Sequence, residues 1–236
     1  MIRMKKTLTK IKRFLIRNKH LLIVSVAFWV PTVLFLGLTE DVLEKGHLAF
    51  DQPSLMFLHS HASSMFDQIF LFITNFGDIL AIAIIIVLLL AYVVFRQKSY
   101  RNIVLVTVGI GGAAVASVLL KLLFVRPRPE LWDQIIIEST YSFPSGHSMT
   151  SAAVATVVII LFWKTRFRWI AVIAGVLFAG LIGLSRLYLG VHYPSDVLAG
   201  WSVSIAWVTL VSATIARYGN KNLNLSSQKT ISKRKR

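Results

Sequence analysis

The chain contains no cysteine. Disulfides, zinc–thiolate sites and cysteine nucleophiles are therefore excluded, and the redox character of its compartment cannot be read. Charge is scarce as well: Asp, Glu, Lys and Arg make up 15% of the 236 residues, where a soluble domain carries about a quarter. Acidic residues are the scarcer sign, 10 against 26 Lys and Arg. No long linker, internal repeat or low-complexity tract interrupts the chain. Little length is left for a separate soluble domain.

Apolar residues are what the chain has in quantity, 56% of the total, with a mean hydropathy of +0.68. Crossing about 30 Å of hydrocarbon takes roughly 20 apolar residues as a helix. Six runs approach that length: Leu21–Leu38, Gly77–Phe95, Asn102–Phe124, His147–Trp163, Trp169–Leu184 and Pro194–Tyr218. The fourth and fifth are short for a span, so their ends are expected to extend into the loops. Pro31 should kink the first helix rather than end it, since packed neighbours can satisfy the freed carbonyl. That first run is longer than a signal-peptide core and lacks a small-x-small cleavage site, so it reads as a retained anchor. Met65–Phe76 is amphipathic and reads as an interfacial helix. Gly109-Ile110-Gly111-Gly112 lies mid-span with no preceding strand, which fits close helix packing rather than a nucleotide loop. Ala179 and Gly183 read the same way.

Charge sets the expected orientation. All but five of the 26 Lys and Arg fall in the N-terminal segment, in the loops after the second and fourth runs, and in the C-terminal tail. These regions share one side of a six-span chain, which the positive-inside rule makes cytoplasmic. The five exceptions are Lys45, Lys121, Arg126, Arg128 and Arg186. Every Asp and Glu falls on their side or at its boundary. The expected organisation is all-α: a basic cytoplasmic segment over 1–20, a six-helix integral membrane domain over 21–218 with both termini cytoplasmic, and a basic, disordered cytoplasmic tail over 219–236. The basic inner face then serves topology and contact with anionic lipid, and nucleic-acid binding is not expected.

The opposite face holds the chemistry. Between the third and fourth runs stand Lys121, Arg126-Pro127-Arg128-Pro129 and Pro144-Ser145-Gly146-His147. Between the fifth and sixth stand Ser185-Arg186 and His192 with Asp196. Four of the chain's 6 prolines lie here, favouring a preorganised constellation. Phosphoryl transfer needs cations around the non-bridging oxygens, an in-line nucleophile and an acid for the leaving oxygen. Lys121, Arg128 and Arg186 can supply the charge, with Arg able to grip phosphate bidentately. Ser145 and Gly146 precede a helix, whose N-terminus is an anion site, and Gly146 allows close backbone approach. Asp196 can fix the tautomer of His192 and leave its other nitrogen free to attack phosphorus. His147 is the candidate acid, and then the base for the water that hydrolyses the phosphohistidine. Fixed cations make a metal or other cofactor unnecessary.

These segments resemble the motifs of the type 2 phosphatidic acid phosphatase family, Lys-x6-Arg-Pro, Pro-Ser-Gly-His and Ser-Arg-x5-His-x3-Asp. They are filled by Lys121 with Arg128-Pro129, by Pro144 to His147, and by Ser185-Arg186 with His192 and Asp196, with no motif residue missing. The resemblance covers Lys121 to Asp196, about a third of the chain, and the six-span layout extends it. It implies a metal-independent lipid phosphatase of the cell membrane with His192 as nucleophile. For a bacterial chain, an outward-facing site fits undecaprenyl diphosphate recycling best. Phosphatidylglycerophosphate, phosphatidic acid and diacylglycerol diphosphate are the alternatives. Vanadium haloperoxidases share similar motifs but are soluble. A non-hydrolytic lipid-phosphate transporter is disfavoured because no charge lies mid-membrane. Arg126 fits no motif position and reads as a solvated or headgroup-binding residue as readily as a substrate contact. His59 and His61 could suggest a metal pair, but no third ligand is evident and an interfacial segment fits better. Asp78, near the start of the second run, reads as a helix cap or a helix contact and is assigned no part in catalysis. Oligomeric state is not legible.

Overall fold

A computed structural model describes residues 18–234, excluding the side chains of residue 20 and of residues 219–234. Among the described residues there are helices and no strands. The basic segment over 1–17 lies outside them, as do residues 235 and 236.

Each apolar run forms a helix, and the differences lie at the ends and between the runs. Helix α1 (Lys19–Lys45) contains Pro31 and continues past Leu38. Thr39–Lys45 adds helix formers and an Asp41–Lys45 ion pair one turn apart at 2.6 Å, and Gly46 ends the helix at φ 74°. Helix α2 (Asp51–Ser60) was not foreseen; it is short and its apolar residues follow no clean face. Helix α3 (Ser64–Asn75) occupies the amphipathic stretch, opened by Ser63, whose hydroxyl accepts from the Phe66 N–H. Helix α4 (Ile79–Tyr92) runs on as a π-helical turn over Val93–Gln97. Helix α5 (Tyr100–Phe124), α6 (Gly146–Phe162), α7 (Arg168–Tyr188) and α8 (Pro194–Arg234) complete the order.

Five of these helices contain segments long and apolar enough to cross a membrane: Leu21–Lys45, Ile79–Gln97, Tyr100–Phe124, Arg168–Tyr188 and Pro194–Tyr218. Helix α6 is apolar but shorter, 17 residues, or ~25 Å of rise. The α8 backbone is helical to Arg234.

The short helix is the centre of the bundle. Helix α6 packs against α5, α7 and α8, while α1 packs along α8. Its buried residues include Ser148, Ser151, Ala152, Ala153 and Ala155, small enough for close approach on several sides. A Cβ on Gly175 of α7 would meet Ala155 at 3.2 Å, and one on Gly112 of α5 would meet the Trp207 ring at 2.6 Å. One on Gly183 would overlap the Trp201 ring, whereas Gly111 faces open space. Close packing therefore explains Gly112 and Gly183 but not Gly111. Val106, Ile110, Val157 and Val208 form the core between these helices. Trp29, Ile79, Leu123 and Ile170 are among many large apolar side chains left on the outside, as expected of a lipid-facing surface.

Candidate active site

Six segments meet at one end of the bundle: the last turn of α5, the loop over 125–145, the first turn of α6, the last turn of α7, the link into α8 with its first turn, and the α3–α4 turn. Helix α5 stops just after Lys121 because Val125 adopts a left-handed conformation, φ 49°, with its N–H on the Lys121 carbonyl. A β-branched residue pays about 1–2 kcal/mol for that geometry, and the chain turns inward there, burying Arg126.

His192 is buried, and its two nitrogens face different partners. Arg128 Nη1 lies 3.2 Å from Nε2. A guanidinium has only donors, so Nε2 accepts and the ring proton resides on Nδ1. Nδ1 faces Ser142 Oγ and Asp196 Oδ2, each at 3.4 Å. Ser142 donates to the same carboxylate oxygen at 2.5 Å, and the Tyr193 N–H does so at 2.8 Å. Burial, and then the charges of Arg128, Arg186 and Lys121, push His192 well below its ordinary pKa, so the ring is neutral.

Lys121, Arg128 and Arg186, linked through Thr140 and Glu138, make a cationic arc that acts on His192. Arg128 is fixed by the carbonyls of Thr140 and Val191, each at 2.7 Å. Lys121 Nζ donates to Thr140 Oγ1 at 2.8 Å. Arg186 is buried, with Nη1 on Thr74 Oγ1 at 2.8 Å and Nη2 on the Glu138 carboxylate. Among the described residues its buried Nε has no partner, and such an unmet donor is worth about 1–3 kcal/mol to whatever acceptor reaches it. Glu138 also approaches Arg128 at 3.5 Å. Burial alone would raise Glu138, but Arg186 and Arg128 outweigh it and hold the carboxyl below its ordinary range.

Ser145 and Gly146 sit at the α6 N-terminus as expected, but the Ser145 backbone N–H is already engaged. It donates to the Asp196 carbonyl at 3.1 Å, and the Ser145 hydroxyl accepts from Ser148. The first-turn N–H groups of Gly146 and His147 have no intrahelical acceptor. A Cβ on Gly146 would meet Ser117 Oγ at 3.0 Å, so the glycine brings α6 close to α5. His147 Nε2 lies 2.8 Å from Asp78 Oδ1.

Arg126 corrects the sequence reading: it is neither solvated nor on a headgroup. Only 3% exposed, it donates to Asp51 Oδ2 at 2.9 Å, Ser195 Oγ at 2.8 Å, the Gly46 carbonyl at 3.0 Å and the Asp196 carboxylate. It thereby ties α1 and α2 to the carboxylate beneath His192. Asp51, Glu138, Thr140 and Ser142 were missed as well. The confinement of acidic residues to one face was the available signal, but not one that could assign partners. His59 stacks on Trp132 at 4.1 Å and His61 Nδ1 lies 2.8 Å from the Phe57 carbonyl, so the pair does not converge.

A buried neutral histidine whose free nitrogen faces a guanidinium can take up a phosphoryl group. The PAP2 superfamily profile matches residues 102–219. The chain belongs to the PAP2 superfamily. Undecaprenyl-diphosphatase BcrC of Bacillus subtilis is 38% identical over 152 residues, 62% of this chain and 73% of that protein. Phosphatidylglycerophosphatase B of the same organism is 34% identical over 145 residues, 59% of this chain and 70% of that protein. The crystal structure of a transmembrane PAP2-type phosphatidylglycerolphosphate phosphatase from Bacillus subtilis superposes with a TM-score of 0.73 at 25% identity, covering 81% of this chain and 97% of that one. As a PAP2 protein, the chain is a multi-pass membrane enzyme of the lipid phosphatase class.

Proposed function

We propose that the chain hydrolyses a lipid phosphate or diphosphate at the outer face of the cell membrane through a phosphohistidine on His192. The observation that carries this reading is the neutral His192 ring, whose Nε2 faces Arg128 while Nδ1 faces Asp196 and Ser142. A phosphate seated in the arc takes donors from Lys121, Arg128, Arg186 and the N–H groups of Gly146 and His147. The unpartnered Arg186 Nε is available to it. Nε2 attacks phosphorus, a P–N bond forms and the P–O bond to the lipid breaks. His147 gives its proton to the departing oxygen, and Asp196 offsets the charge that develops on His192. Water then attacks phosphorus, its proton passes to His147, and the P–N bond breaks to release phosphate.

The outward face rests on charge. Five membrane-length helices and the shorter α6 give six crossings, and the basic loops then lie together on the side opposite the arc. Both termini are cytoplasmic in that arrangement. Undecaprenyl diphosphate is the first substrate choice, given an outward site and a relative named for that activity. Phosphatidylglycerophosphate is the second, on the strength of the other Bacillus subtilis relative.

Phosphate release from a panel of lipid phosphates, with EDTA present, tests the reaction. Wild type should be active and His192→Ala inactive; an active His192→Ala would remove the nucleophile. Since the chain has no cysteine, Ile137→Cys at a fully exposed loop position tests orientation. It should react with an impermeant thiol reagent on intact cells.

A further inference from the structure

We propose that the Gly77-Asp78 turn between α3 and α4 is the positioning element for His147, with the Asp78 carboxylate holding Nε2 so that Nδ1 serves the leaving oxygen. The inference rests on the phosphatase reading, with His147 as proton donor. Asp78 occupies the N-cap position of α4, where an aspartate ordinarily accepts from the first-turn N–H groups. Its side chain makes no such bond. It reaches instead across the bundle to His147 Nε2 at 2.8 Å, 69 residues away. A residue that leaves its own helix uncapped while bonding a distant imidazole is placed for the imidazole.

The neighbouring residue supports the same assignment independently. A Cβ on Gly77 would fall 2.6 Å from His147 Cδ2 and 3.0 Å from Ile182 Cγ2. The imidazole therefore lies directly on the Gly77 backbone, in a space that only glycine leaves open. The same hairpin, through Thr74 Oγ1, also holds Arg186 Nη1 at 2.8 Å. One short connection between two helices thus touches both the acid and a phosphate-binding cation. Besides Asp78, the charged groups acting on His147 are Arg186 from α7 and Glu138 from the loop. Across the arc stands His192. Asp78 is the carboxylate in direct contact with the ring.

A carboxylate on one nitrogen favours the protonated ring and fixes its plane. Both effects matter most when the departing group is a poor one. An alkyl lipid phosphate leaves as an alkoxide and needs the proton, whereas an aryl phosphate such as p-nitrophenyl phosphate leaves without much help. The side chain of Asp78 is 52% exposed, so Asp78→Asn is expected to fold.

The test compares purified wild type, Asp78→Asn and Gly77→Ala on a lipid monophosphate and on p-nitrophenyl phosphate. Both variants should lose about 10–100-fold in kcat on the lipid, the range found where a carboxylate that orients a metal-bound histidine is removed. KM should stay within about twofold, and the loss in kcat/KM on the aryl ester, which reports phosphoryl transfer to His192 and leaves out the dephosphorylation shared by both esters, should be no more than about threefold. The basic limb of kcat/KM for Asp78→Asn should move to lower pH, because removing the carboxylate makes the imidazolium give up its proton sooner. Asp78→Glu should recover part of the lipid activity. Equal losses in kcat/KM on both esters with the basic limb unmoved would overturn the proposal, as would an unchanged kcat on the lipid. A wild type that releases phosphate from neither ester overturns the phosphatase reading and this inference together.

Discussion

Replacing Arg126 by Met tests whether the buried ion network, rather than any contact with substrate, is what that residue provides. The guanidinium serves two buried carboxylates, Asp51 and Asp196, and also bonds Ser195 Oγ and the Gly46 carbonyl. Met matches its volume approximately but leaves both carboxylates without a counter-charge. Breaking a buried pair by removing one partner costs about 3–5 kcal/mol. The lower end applies here, because the carboxylates keep other donors. Asp51 retains the Leu48 and Ser195 N–H groups and the Ser195 hydroxyl at 2.7–3.0 Å. Asp196 retains Ser142 Oγ and the Tyr193 N–H. A loss of about 3 kcal/mol is therefore expected, read as denaturant or thermal unfolding in detergent. Adding Asp51→Asn should restore part of it by removing one of the two stranded charges. In activity, Arg126→Met should lower kcat, since Asp196 loses its anchor beneath His192. A stability change below about 1 kcal/mol, the range of exposed pairs, together with a raised KM and normal kcat, would refute the network and return Arg126 to the headgroup.

His192→Ala should abolish turnover, by about 10⁴-fold or more, with unfolding close to wild type. His147→Gln should lose about 10²–10⁴-fold on a lipid monophosphate. Attack needs neutral His192, whose pKa is pushed well below its ordinary 6.5. As pH falls, kcat/KM should therefore pass through 6.5 without a break from this residue and decline only at lower pH; an acid limb at 6.5 assigned to His192 would contradict its burial. Glu138→Gln removes the carboxylate that competes for Arg128 and Arg186, so inorganic phosphate should inhibit more tightly, by a few-fold to about tenfold. Gly190→Ala puts a Cβ at φ 72° and 2.6 Å from Trp132, two residues before His192, and should reduce kcat through displacement of that link.

Composition and the lengths of the apolar runs were enough to specify an all-helical, multi-pass protein, because spanning hydrocarbon demands long helices with few charges. Side-chain chemistry at fixed spacing was enough to single out Lys121, Arg128, Ser145, Gly146, His147, Arg186, His192 and Asp196, which the tertiary structure brings to one end of the bundle. Residues four apart at a helix start, such as His192 and Asp196, are neighbours by local geometry. What periodicity could not reveal was the pairing of residues far apart in sequence. Arg126 meets Asp51 across 75 residues, His147 meets Asp78 across 69, and Arg186 meets Glu138 across 48. No local rule links such partners; helix packing alone selects them. The small faces of α6 let α5, α7 and α8 close around it. That packing buries Arg126 against two carboxylates and brings the Gly77-Asp78 turn onto His147.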